Sequence, residues 1–195
     1  MWLGVFLLLV GSITFVSGAW PGMIARLRDL RFAAEMGGTL MTGIAAIIAV
    51  FFVTLPDRLM TRWQLLPLPF LSLWLATAGY ECYRNWIAFG PATSFRIRGS
   101  FHCVGIIVGI SVPLAIALYL VLRATCPLYP ARVMTIGGLG VAGPAATMLQ
   151  FYHHNDVTIL DLGLHMAAVA AVVITMAGLG YWLVHPTGPK PFAAV

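Results

Sequence analysis

Leu149-Gln150-Phe151-Tyr152-His153-His154-Asn155-Asp156-Val157-Thr158-Ile159-Leu160-Asp161-Leu162-Gly163-Leu164-His165 is the stretch on which the architecture turns. It carries three of the five histidines and two of the six acids of a chain that is otherwise largely lipid-soluble. The apolar sequence before and after it is long enough to cross a membrane twice. The polar passage is therefore expected as a short turn at a membrane surface that runs into the head of a helix. Asp156 and Asp161 near that helix start suit the positive end of the helix dipole. Asp161 and His165 are four apart, which on a helix places both on one face, with Cβ atoms about 5–6 Å apart. Ionisable residues at membrane depth cost roughly 2.5–3.5 kcal/mol on insertion scales, so they turn toward the bundle interior and find a partner. Two readings are open. In one, His153, His154, Asp156, Asp161 and His165 form a polar cluster that binds a metal or relays protons. In the other, an interfacial loop and one buried pair fix how two helices pack. A metal site needs three or four converging ligands, and the spacing secures only the pair.

Composition sets the class. Of 195 residues, 61% are hydrophobic and 9% charged, with a mean hydropathy of +0.94. Soluble domains carry roughly 25% charged residues, so the chain reads as an integral membrane protein, all-α, in a single bundle. The net charge of +5 and pI near 9.5 do not indicate nucleic acid. The eleven basic residues are scattered through loops, and no basic run interleaved with aromatics exists to track a phosphate backbone. Basic loops flanking membrane spans explain the balance. The three cysteines show no C-x-x-C or zinc spacing. No cofactor is implied, and no enzymatic activity is expected.

Six spans are expected, at approximately 2–19, 33–55, 65–82, 101–123, 132–152 and 159–184, with a disordered Pro-rich tail over 185–195. Spans of about 20 residues at 1.5 Å per residue match a hydrocarbon layer of roughly 30 Å. The first apolar run ends at Trp20-Pro21-Gly22. It is open to reading as a signal peptide, with Ser17-Gly18-Ala19 as small cleavage residues, but no basic residue precedes it; a retained span is the preferred reading. Glu35 interrupts the second span early, as a snorkelling or loop-paired charge. Pro113 and Pro144 lie inside the fourth and fifth spans and are expected to kink them. Gly137, Gly138, Gly140, Gly143 and Ala146 make the fifth span small-faced, a packing helix. An even number of spans puts both ends on one side. Charge does not choose the side: five basic residues flank one surface and six the other.

Several landmarks, taken in order, resemble the NrsF family. They are Arg28-Asp29-Leu30, the proline-ended second span, Leu66-Pro67-Leu68-Pro69 leading to Trp74, and Gly79-Tyr80-Glu81-Cys82. Cys103, Arg123 with Cys126-Pro127-Leu128-Tyr129-Pro130, and Leu149-Gln150-Phe151-Tyr152-His153 with Asp161 and His165 complete the set. The resemblance implies a six-span protein of the bacterial inner membrane that acts as an anti-sigma factor on an extracytoplasmic-function (ECF) sigma factor. It implies a cytoplasmic N-terminus, and with it a periplasmic position for Cys82 and Cys103, where the environment is oxidising. The role of periplasmic cysteines in signal response is carried over to these two residues as a disulfide candidate; their use as small packing residues is the alternative. Cys126 would face the reducing cytoplasm. Family members carry a cytoplasmic segment ahead of the first span that contacts the sigma factor. This sequence begins at the membrane, so that segment is expected to be missing.

Two further classes compete. A membrane oxidoreductase or a haem- or metal-binding protein would use the His153–His165 cluster, His102 or the cysteines, but bis-His haem binding wants histidines at mid-membrane on facing helices. A small transporter calls for midplane charges and broken helices, whereas the centres of these spans are uncharged.

Overall fold

The computed structural model describes residues 4–5, 7–8, 11–12, 25–54, 60–90, 100–125, 127, 129–150 and 158–184, which contain helices and turns and no strand. Helix α1 runs Leu30–Val53. It starts where the Asp29 carboxylate accepts a hydrogen bond from the Arg31 backbone N–H at 3.0 Å, meeting one of the donors that a helix start leaves open. A single turn, α2 (Met60–Gln64), follows. Helix α3 spans Leu68–Phe89 with Pro69 in its first turn, where a missing N–H costs least. Gly90 ends it at φ 76°, a conformation that disfavours any residue with a Cβ. Helix α4 (Ser100–Thr125) and helix α5 (Pro130–Leu149) continue through Pro113 and Pro144, and α6 spans Ile159–Val184.

The all-helical expectation holds, but five long helices are described where six were expected. The expected first span, 2–19, lies mostly outside the described residues; those described within it are helical, and Val5 packs against the core. Boundaries also move. The Glu81–Trp86 edge, read as the exit from a span ending at 82, is helix up to Phe89. The fifth helix stops at Leu149 rather than 152. The tail over 185–195 lies outside the described residues.

Helix α5 is the centre of the bundle, packed against α1, α4 and α6, with nearly every side chain from Val133 to Gln150 buried or half-buried. Glycine makes this possible. A Cβ on Gly143 would stand 2.8 Å from both the Gly43 N and the Thr39 O of α1, so the two backbones touch without side chains between them. At this crossing the buried Thr147 hydroxyl donates to Thr39 Oγ1 at 2.9 Å, and Thr39 donates in turn to the Met36 carbonyl at 2.9 Å.

The outer helices present apolar stripes instead. Val108, Val112, Ile116 and Leu120 of α4 are 40–55% exposed, as are Met41, Ile44, Ile48 and Phe51 of α1 at 39–46%. Water-facing surfaces rarely carry contiguous apolar patches of this kind; lipid-facing helices do. Among the described residues, three helices are long and apolar enough to cross a membrane: Leu30–Val53, Cys103–Ala124 and Ile159–Trp182. The glycine-rich α5 needs less apolarity because neighbouring helices, not lipid, surround it.

Candidate functional site at the polar end of the bundle

Successive helices alternate in direction, so the start of α1, the end of α3, the start of α4, the end of α5 and the start of α6 gather at one end. Named contacts tie these ends together. Arg31 at the start of α1 approaches Glu81 near the end of α3 at 3.8 Å, and Arg84 reaches the same carboxylate at 3.3 Å. Both arginines are about half exposed, so each pair contributes at most about 1 kcal/mol. Arg26 donates to the Gln150 carbonyl at 3.5 Å and lies 4.4 Å from the centroid of the Phe32 ring. A cation there complements the negative end of α5. Burial lowers the Arg26 pKa, and the charge of Glu35 opposes that shift.

The head of α6 is held by a reciprocal cap. Asp161 Oδ2 accepts from the Thr158 hydroxyl at 2.8 Å and from the Thr158 N–H at 3.3 Å, while the Asp161 N–H donates to Thr158 Oγ1 at 3.1 Å. This is the capping-box arrangement. Its signature, Thr158-x-x-Asp161 ahead of an apolar run, is present in the sequence, and Thr158 is the residue that the sequence reading passed over. Asp161 is only 7% exposed.

Cys82 and Cys103 flank this cap. Both are thiols and both are buried. The Cys82 thiol donates to the Thr158 carbonyl at 3.5 Å. The charge of Asp161 lies within electrostatic range of both sulfurs, and those of Glu35 and Glu81 within range of Cys82. Helices α3 and α4 hardly touch, while α6 touches both. The two thiols therefore lie on helices that meet through the head of α6.

One turn below Asp161, His165 lines a cavity of about 40 Å3 together with Glu35 and Gln150. The sequence reading missed this grouping: it noted Glu35 as a lone charge and gave Gln150 no part. His153, His154 and Asp156 lie outside the described residues. Among the described residues no group of three or more His, Cys, Asp or Glu is placed to hold a metal ion.

This is a helical membrane protein whose polar side chains collect at one end of an apolar bundle around a capped helix head. Residues 1–185 match the model of a family described as NrsF, negative regulator of sigma F. The chain belongs to the NrsF family, as the landmarks from Arg28 to His165 suggested. The family is one of regulators, and its description implies a sigma factor as partner. No curated protein and no solved structure matches the chain.

Proposed function

We propose that the chain is a multi-pass anti-sigma factor of the bacterial inner membrane. In this reading it restrains an ECF sigma factor and answers a periplasmic thiol event at Cys82 and Cys103. The carrying observation is that both cysteines flank the capped head of α6, with Cys82 donating directly to Thr158. With the polar end on the periplasmic side, oxidation joins the two sulfurs. Each thiol gives up a proton and an electron to a disulfide-bearing oxidant of the periplasm, which leaves as a dithiol. A disulfide requires Cα atoms within roughly 7 Å. Closing it draws the ends of α3 and α4 together, withdraws the Cys82 thiol from Thr158 and disturbs the Thr158–Asp161 cap. Thiol and disulfide forms then favour different bundle states, the differential interaction that any switch needs.

The test is a sigma-dependent reporter in cells that carry the native chain, Cys82→Ser or Cys103→Ser, with and without a thiol oxidant. The native chain is expected to change reporter output several-fold, and either serine variant to leave it flat. Alkylation after the protein is unfolded in denaturant should reach both cysteines without reductant before the oxidant acts, and only after reductant once it has acted. A serine variant that responds like the native chain removes the cysteines from the mechanism.

A further inference from the structure

The cavity below the helix cap brings together polar side chains from three helices. Glu35 of α1, Gln150 at the end of α5 and His165 of α6 line it, over a floor that includes Trp74, Ala78 and Ile107. Gln150 is 9% exposed, and among the described residues its Oε1 is shielded and meets no hydrogen-bond donor. A buried acceptor left unmet costs about 1–3 kcal/mol, so this amide marks a place where a donor belongs. The volume of about 40 Å3 exceeds the roughly 10–15 Å3 that one water needs, leaving room for about two or three. A second, tighter gap of about 10 Å3 near Thr39, Leu139 and Val169 falls at or below that limit. Of these two cavities among the described residues, only the larger combines room for water with an acid, an imidazole and an unmet amide oxygen.

We infer that this cavity is a hydrated proton-binding site, in which Glu35 and His165 share one exchangeable proton through water that also donates to Gln150 Oε1. Charged and titratable groups on the surrounding elements face the site. Arg26 ahead of α1 and Glu81 of α3 act on the Glu35 charge, which in turn lies within range of the Cys82 thiol of α3. Asp161 shares α6 with His165 and lies within range of Cys103 on α4. Helix α5 adds the uncharged Gln150. With one shared proton, the carboxylate and the imidazolium cancel. A second proton leaves the pair at +1, and loss of the first leaves it at −1. Because the two groups are coupled, the proton equilibrium belongs to the pair and not to either residue. The site does not depend on the regulatory reading above.

The chain's composition makes the site directly observable, since Glu35 and Glu81 are its only glutamates. Full-length protein, isotope-labelled at the glutamate carboxyls and held in lipid nanodiscs, can be followed by infrared spectroscopy across the range in which imidazole titrates, about pH 5 to 8. The expected result is that one labelled carboxyl band changes over this range. The change should vanish in Glu35→Gln and move along the pH axis in His165→Gln. Gln150→Leu, which replaces the amide with an apolar group, should also shift it by displacing the water. A labelled spectrum of the native chain that stays constant throughout overturns the proposal without recourse to any variant. So does a transition that persists unchanged in Glu35→Gln. A transition insensitive to both His165→Gln and Gln150→Leu overturns the shared, hydrated site.

Discussion

Thr158 governs how α6 begins. Its hydroxyl and N–H both reach the Asp161 carboxylate, and it takes the Asp161 N–H in return, while its carbonyl receives the Cys82 thiol. Losing such a cap costs about 0.5–2 kcal/mol, typically near 1. Thr158→Ala is therefore expected to destabilise the protein by about 1 kcal/mol. The effect should be read as faster amide hydrogen exchange confined to the first turn of α6, with the exchange of α5 unchanged. Equal acceleration in both helices would mean that the threonine supports general packing and not the cap. At this scale the sequence was only half legible. The acids near a helix head were recognisable from the dipole argument, and Asp161 is where that argument places it. An i, i+4 relation to His165 and an i, i−3 relation to Thr158 are both written in the chain, and the reciprocal bonding with Thr158 emerges only from the geometry of the helix head. His165 matters by lining the same cavity as Glu35, a residue 130 positions away in sequence.

Among the described residues the long helices begin and end within three residues of the expected spans except at the end of α3, because long apolar runs closed by Pro and Gly leave few other choices. The displaced end of α3 has a physical cause. The polarity of Glu81-Cys82-Tyr83-Arg84-Asn85-Trp86 suggests the exit from a span, yet polarity marks where a helix leaves lipid, not where it ends. Gly90 was the true stop, and its φ of 76° shows why. The role of α5 was legible from Gly137, Gly138, Gly140 and Gly143, but which neighbour each glycine admits was not. The α1–α5 crossing separates two forces that sequence cannot tell apart. Gly143→Val would drive side-chain atoms into the α1 backbone, whose Thr39 O and Gly43 N already lie 2.8 Å from a Cβ position. Backbone cannot give way as a side-chain tip can, so a loss of about 1–3 kcal/mol or more is expected. Thr147→Val keeps the shape and removes the hydroxyl that bonds Thr39 across the crossing and the Gly143 carbonyl within α5; for the interhelical bond about 0.6 kcal/mol, and at most about 1.7, is the scale measured in membrane bundles. Thermal unfolding of both variants in the same detergent orders the two effects. A larger loss in Thr147→Val would make hydrogen bonding, and not close approach, the main support of this crossing.

For the molecule as a whole, the sorting of surfaces follows from its solvent. With lipid outside, there is no hydrophobic drive to bury every leucine and isoleucine, so the bundle is built around the helix with the smallest side chains, and many bulky apolar residues face outward while Ile107, Leu114, Leu118 and Leu122 of α4 pack inward. Ile174, Leu179 and Trp182 on α6 are 69%, 42% and 71% exposed, whereas Val133, Met134 and Val141 on α5 are fully covered. An ordinary water-soluble protein would not leave so many large apolar side chains exposed. A carbene probe dissolved in the bilayer and activated by light should therefore label α6 along Ile174 and Leu179, and α4 along Val112 and Ile116, while α5 remains almost unlabelled between Val133 and Leu149. The same experiment bears on the polar end. Gln150 and Asp161 should stay unlabelled because they are enclosed by protein, while Tyr83 and Ile87, 63% and 67% exposed on the far turns of α3, should react according to how deep that end sits. Strong labelling along α5 would mean that the central helix faces lipid, and the cavity of Glu35, Gln150 and His165 would then lose the walls that isolate it.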